Sequence, residues 1–471
     1  MAQGEHSEGS PFRKTENPRH RPTWDGVGRQ ALIYVVLAPL TASLTYFGVS
    51  DKYGYIVLAC GLIVGMFVYR LGLMIYSAML IPYMFYMDLP FRTNVSAMDL
   101  LVPAVAVSVI ASGRVSSILA DMPRGMRPKW VLPLYLSAFA ASLLVALPHH
   151  SSGFSFDRFA TESIKLLVCL AVFYLYVGAF TLAGPEDRSL FTLAWIGTAT
   201  SIGLVAVLES LLSGGQTGRV RGTFEDPNLF GLYLVVSLGL VLLVWNEWRR
   251  PWLLTPAPIL IMAVACTASR GALFSLTVLT AICIFLVPVR WVARLILGTS
   301  LLATVAAFRW AFRDSLPAFE RLPKDGEGVQ LETRYELWSV GLDLWMLSPS
   351  FGIGMGQYAT EATRLMNGSD HIVAHSTPLS FLAELGVFGA AATSVPLICL
   401  LAMLLRSFKT NSQAAYLFAI WTAVIASSMT LDLQNQRFLW ILLSLSAVVG
   451  FGLRSRDLDA TWHQLHRGLL R

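Results

Sequence analysis

Residues 374–386, AHSTPLSFLAELG, put His375 directly ahead of a long apolar run. Imidazole titrates near neutrality, so a histidine so placed can take a proton from a hydroxyl group. Four short stretches elsewhere carry arginines between apolar segments. They are FDRF with Arg158, GRVRGTFEDPN with Arg219 and Arg221, the Ser269–Arg270 turn, and TRYELW with Arg334. Guanidinium is permanently charged and its planar fork matches two phosphate oxygens at once. Several arginines around one histidine would suit a reaction on a phosphate ester: the cations hold the departing phosphate and the base activates an alcohol.

Two other patterns carry less. His371 and His375 lie four apart, but there is no H-E-x-x-H pattern and no third ligand close in sequence, so the pair is not read as a metal site. GIGMG (352–356) follows a helical segment and Ser-Pro, whereas a dinucleotide fingerprint needs a preceding strand. Its glycines are read as places where backbone comes close to the bilayer or a ligand. Asp226 or Asn228 is expected to cap the helix that begins near Pro227.

The elements that must position these residues are membrane helices. Of the 471 residues, 55% are hydrophobic and 14% charged, against about 25% charged in an ordinary soluble domain. Apolar runs such as 31–49, 163–183 and 189–212 approach the ~20 residues needed to cross a bilayer. They do not alternate, which excludes a transmembrane barrel. Hydropathy gives about fourteen spans, near 31–49, 53–69, 71–88, 97–112, 130–147, 163–183, 189–212, 228–245, 252–268, 271–288, 291–308, 379–406, 413–430 and 436–453. The fold class is therefore all-α, a polytopic bundle of about 12–14 helices. Residues 1–29 read as a disordered cytoplasmic tail, 30–308 as helices one to eleven, 309–375 as one long extracytoplasmic loop, 376–453 as the last three helices and 454–471 as a cytoplasmic tail. Within the loop, Tyr335, Trp338, Leu342, Trp345 and Met346 fall on one face of an amphipathic helix suited to the membrane interface.

Charge orients the bundle. With both termini inside, Arg70, Arg114, Arg124, Arg127, Lys129, Arg188, Arg249, Arg250, Arg290, Arg294, Arg406 and Lys409 all fall on the cytoplasmic side. This bias accounts for the net charge of +6 without nucleic acid as a partner. The arginines named at the outset fall outside. Asp99, Lys165, Glu209, Glu384 and Asp432 lie near the outer helix ends, and together they point to a polar cavity open to that side. Cys60, Cys169, Cys266, Cys283 and Cys399 all sit in apolar runs and read as packing residues.

RGTFEDPNLFGLYL, SRGALFSL, TRYELWSVGLDLWMLSPSFGIGMGQY and AHSTPLSFLAELGVFG, in that order, resemble the successive signatures of the O-antigen ligase and polymerase superfamily, over residues of about 200 to 405. The resemblance implies a bacterial inner-membrane glycosyltransferase, independent of metal and of any cofactor. Such a protein takes a glycan from an undecaprenyl-pyrophosphate carrier on the extracytoplasmic face. A ligase passes it to a glycan or lipid acceptor, and a polymerase to another carrier-linked repeat unit. By position, Arg221, Arg270 and Arg334 match the arginines that hold the pyrophosphate, and His375 matches the base of an inverting transfer. The sequence departs from the family in two respects: His375 is followed by Ser376 where asparagine is usual, and the family usually has about twelve spans. A polysaccharide or lipid transporter is the alternative from another class, although neither inverted repeats nor broken helices are evident.

Overall fold

The computed structural model describes residues 77–82, 84–86, 94–96, 101–149, 154–212, 219–287 except 225, the single positions 294, 298 and 302, and the stretches 328–366 and 373–452. The expected tails, the spans at 31–49 and 53–69, that at 291–308 apart from the three single positions, Cys60, Asp99 and His371 lie outside the described residues.

Thirteen helices are described. They are α1 Val102–Ala111, α2 Val115–Asp121, α3 Pro128–His149, α4 Phe156–Leu182, α5 Pro185–Leu212, α6 Pro227–Trp248, α7 Pro256–Cys266, α8 Arg270–Phe285, α9 Gly328–Leu347, α10 Gln357–Leu365, α11 Thr377–Ser407, α12 Ser412–Ser428 and α13 Arg437–Phe451. Five segments, within α3, α4, α5, α6 and α11, are long and apolar enough to cross a membrane. Pro251–Cys266, Arg270–Phe285 and Arg437–Phe451 are shorter apolar helices. The protein is thus a polytopic helical membrane protein.

Helix starts follow local chemistry. Ser155, Asp226, Ser269 and Asn411 each turn a side-chain oxygen onto a free N–H of the first turn of α4, α6, α8 and α12. Asp226, not Asn228, is the cap of α6. α6 is buried along nearly its whole length between α5, α7, α8 and α12. Under one end of α6, Trp195 stacks on Tyr233 with centroids 5.8 Å apart, and Phe224 and Phe438 close around Tyr233 at 5.3 and 5.7 Å.

Three expectations are corrected. The span at 71–88 is interrupted: Ser77–Leu80 is helical, and Met84–Tyr86 pairs antiparallel with Asn94–Ser96. Pro82 lacks the N–H a continuing helix needs. The span at 97–112 reduces to α1, whose ten residues reach about 15 Å, half the hydrocarbon thickness. The third correction is that one helix is broken. Within α11, Gly386 adopts φ 65° and ψ −174°.

A helix forms here, as α9, but it is not amphipathic: its apolar residues lie on two sides instead of one. Leu337, Gly341 and Leu344 are buried, with Gly341 against Leu379 of α11. Tyr335, Leu342 and Met346, from the face expected to be apolar, are exposed, as the membrane interface would require.

Candidate active site

His375 lies immediately before α11, half-buried, in the left-handed region at φ 48°. Non-glycine residues seldom adopt this conformation, and such strain concentrates at functional sites. The backbone is held there by Asp432, from the α12–α13 loop. Its Oδ2 accepts the His375 N–H at 3.2 Å, and its Oδ1 accepts the Ser380 hydroxyl at 2.7 Å. The Ser376 N–H also donates to this carboxyl. Ser376 itself provides no side-chain cap. Asp432 therefore caps α11 from another loop, its negative charge set against the positive end of the helix dipole. Burial raises the Asp432 carboxyl above the usual carboxylate range, while the Ser380 hydrogen bond and the neighbouring His375 oppose the shift. Thr377 fixes the register: its N–H and hydroxyl both donate to Leu431 O, and its Oγ1 accepts the Leu433 N–H at 2.8 Å.

The GIGMG segment answers the break in α11. Ile353 N–H donates to Ala383 O and Gly354 N–H to Glu384 O, while Val387 and Phe388 donate to Pro349 O and Ser350 O. The groups freed at Gly386 are thereby satisfied by a neighbouring loop, as bilayer depth demands. A Cβ on Gly352 would overlap the backbone of Glu384 and Leu385, and one on Gly386 that of Ser350 and Phe351. The buried Glu384 side chain accepts the Tyr358 N–H at 3.2 Å, and the Gly356 N–H also reaches it. Tyr358 lies near Asp432 and Glu384; burial first, and then these two charges, push its phenol above its ordinary range. Gln357 clasps the start of α4, with Oε1 on Ser155 N–H at 3.0 Å and Nε2 on Ser155 O at 2.8 Å. Glu162 pairs with Lys165 at 2.6 Å and accepts from Asn435 Nδ2 at 2.8 Å. Arg437 Nη1 donates to Asn435 O at 2.7 Å.

The arginine loops meet this network from the other side. Phe224 of RGTF is buried in the aromatic cluster and anchors its loop. Arg219 spans the loop bases, with Nε to Thr267 O at 3.2 Å and Nη2 to Asn228 Oδ1 at 2.6 Å, so its guanidinium is engaged in structure. Val220 N–H reaches Cys266 O. Arg221, on the same turn, is exposed. Arg270 is exposed at the first position of α8, after Ala268 at φ 50°. A Cβ on the adjacent Gly271 would lie 3.1 Å from Thr430 Oγ1, two residues before Asp432. Ser275 and Ser427 hydroxyls bond at 2.5 Å one turn below. Arg221, Arg270 and His375 thus stand on adjoining loops at one end of the bundle. The backbone of Arg334 is in α9, and its side chain lies outside the described residues.

Sequence reasoning placed Lys165, Glu384 and Asp432 near this end without assigning them partners, and it passed over Glu162, Gln357, Asn435 and Arg437. The polar run LDLQNQR, set between two apolar spans, was the available signal. Among the described residues no three His, Cys, Asp or Glu side chains gather as metal ligands do. Cys169, Cys266 and Cys283 are buried free thiols.

No curated protein sequence gives a match to the chain. A family model described as O-antigen ligase matches residues 257–394, which contain Arg270, Arg334, His375 and the break in α11, but neither Arg221 nor Asp432. Over residues 257–394 the chain is therefore similar to the O-antigen ligase family, which supports its resemblance to the O-antigen ligase and polymerase superfamily across that segment.

Proposed function

We propose that the protein transfers a glycan from an undecaprenyl-pyrophosphate carrier to an acceptor hydroxyl at the extracytoplasmic face of the bacterial inner membrane. The observation that carries this reading is the meeting of the Arg221, Arg270 and Asp432 loops beside His375. Arg221 and Arg270, joined by Arg334, neutralise charge as the pyrophosphate departs. His375 takes the proton of the acceptor hydroxyl. Asp432 positions the histidine through its backbone N–H. Attack on the anomeric carbon opposite the leaving group inverts its configuration. No metal takes part in this scheme.

The break in α11 gives a transporter reading little support. It is filled by the 349–354 backbone, where transporter breaks face a substrate path. Reconstituted protein supplied with a carrier-linked glycan tests the proposal. A single product that requires a distinct acceptor marks a ligase, and a ladder from donor alone marks a repeat-unit polymerase. Absence of transfer with either acceptor class, from protein shown to be folded, would remove the reading.

A further inference from the structure

At the end opposite His375, α5, α6, α12 and α13 line an open-mouthed cavity of about 260 Å³. Arg188 and Ser189 line it from the first turn of α5, Glu247 from the last turn of α6, and Asn411 and Gln413 from the start of α12. Leu243, Leu417 and Val448 supply an apolar wall. Glu247 is exposed, Gln413 hydrogen-bonds to it, and Arg188 lies close enough to attract it. A simple anion here would face the Glu247 carboxylate, and a simple cation would face the Arg188 guanidinium. A molecule carrying both charges meets each with its opposite.

Depth narrows the choice. Trp245, Trp248 and Trp252 cluster where α6 ends, beside Arg249 and Arg250. Tryptophan and basic residues together mark the headgroup layer of a bilayer. The volume falls below the ~300 Å³ at which pockets begin to enclose drug-sized ligands, so it suits a headgroup whose chains stay outside. A primary ammonium can donate hydrogen bonds to Glu247, which a quaternary one cannot.

We infer that this cavity binds the phosphate–ammonium headgroup of an aminophospholipid, phosphate toward Arg188 and ammonium toward Glu247. The site is independent of glycan transfer. Full-length protein in detergent is loaded with phosphatidylethanolamine, phosphatidylcholine or phosphatidylglycerol, and retained lipid is read by native mass spectrometry. Phosphatidylethanolamine should be retained about fivefold over the other two, a preference on the scale of one partly exposed ion pair. Glu247→Gln should erase that preference while leaving the protein folded. Equal retention of the three lipids, or an unchanged preference in Glu247→Gln, overturns the inference. Free O-phosphoethanolamine separates the sources: a thermal shift equal to that of the lipid assigns the same chemistry to a soluble zwitterion, and no shift assigns it to the lipid.

Discussion

The two ends of the bundle are built to different rules. At the basic end, α4 joins α5 through Ala183–Gly184, and α11 joins α12 through Phe408–Asn411. At the opposite end the links bond to one another, loop to loop, through Asp432, Thr377, Gln357 and Arg219. Each end contains a non-glycine residue in the left-handed region. Arg249, at φ 54°, closes α6 with its N–H on Trp245 O at 2.7 Å, an ordinary helix terminus. His375, at φ 48°, opens α11 with its N–H on a distant carboxylate. The same strained backbone serves termination at one end and positioning at the other.

The contrast can be broken most severely at His375. His375→Ala should lower transfer by about 10²- to 10⁴-fold, the range for losing a general base, with unchanged protein level. His375→Gly should be equally inactive yet about 1 kcal/mol more stable than the alanine variant, because glycine tolerates the left-handed backbone. Substantial transfer by either variant would return the residue to a purely structural role. Arg221→Ala and Arg270→Ala should each reduce donor use by about tenfold, the scale of one charged hydrogen bond. Unchanged donor titration curves would remove that arginine from the site.

Stability measurements sharpen the same comparison. Gly386→Ala should lower stability by about 2 kcal/mol or more, since a Cβ there overlaps Ser350 and the backbone is left-handed. An unshifted melting temperature would mean that the break in α11 is not fixed by its glycine. Asp432 predicts a pH effect. Its folded-state pKa lies above the unfolded one. The stability it contributes is therefore complete below the ordinary carboxylate range and lost as pH rises through the raised value. Melting temperature should fall over that interval in the native protein, and Asp432→Asn should flatten the fall. At the basic end, Arg249→Gly should leave transfer unaltered and stabilise by less than about 1 kcal/mol.

The bundle was legible in the sequence because lipid imposes a length on each apolar run. From 128 onward the spans carried by α3, α4, α5, α6, α8, α11, α12 and α13 were all foreseen to within a few residues at most ends, except that α4 starts seven residues before its predicted span. Pro82 defeated the window at 71–88, since averaged hydropathy ignores a missing N–H. Gly386 was hidden for a related reason: a glycine in an apolar run reads as helix until a partner loop takes up the freed backbone groups. Asp226 was visible as one of two candidate caps because capping is local, whereas Ser269 and Asn411 were passed over. Asp432 was visible only as a charge near a helix end, because its partner is 57 positions away in the chain.

The sequence alone determined a polytopic helical membrane protein and the order of its signature segments, since these follow from apolar length and nearest-neighbour chemistry. Tertiary structure alone decided that Asp432 caps the helix of His375, that Arg219 is spent on the loop while Arg221 is exposed, and that the 349–354 backbone completes α11. Each depends on contacts between residues far apart in the chain, which only the packing of the helices brings within hydrogen-bonding distance.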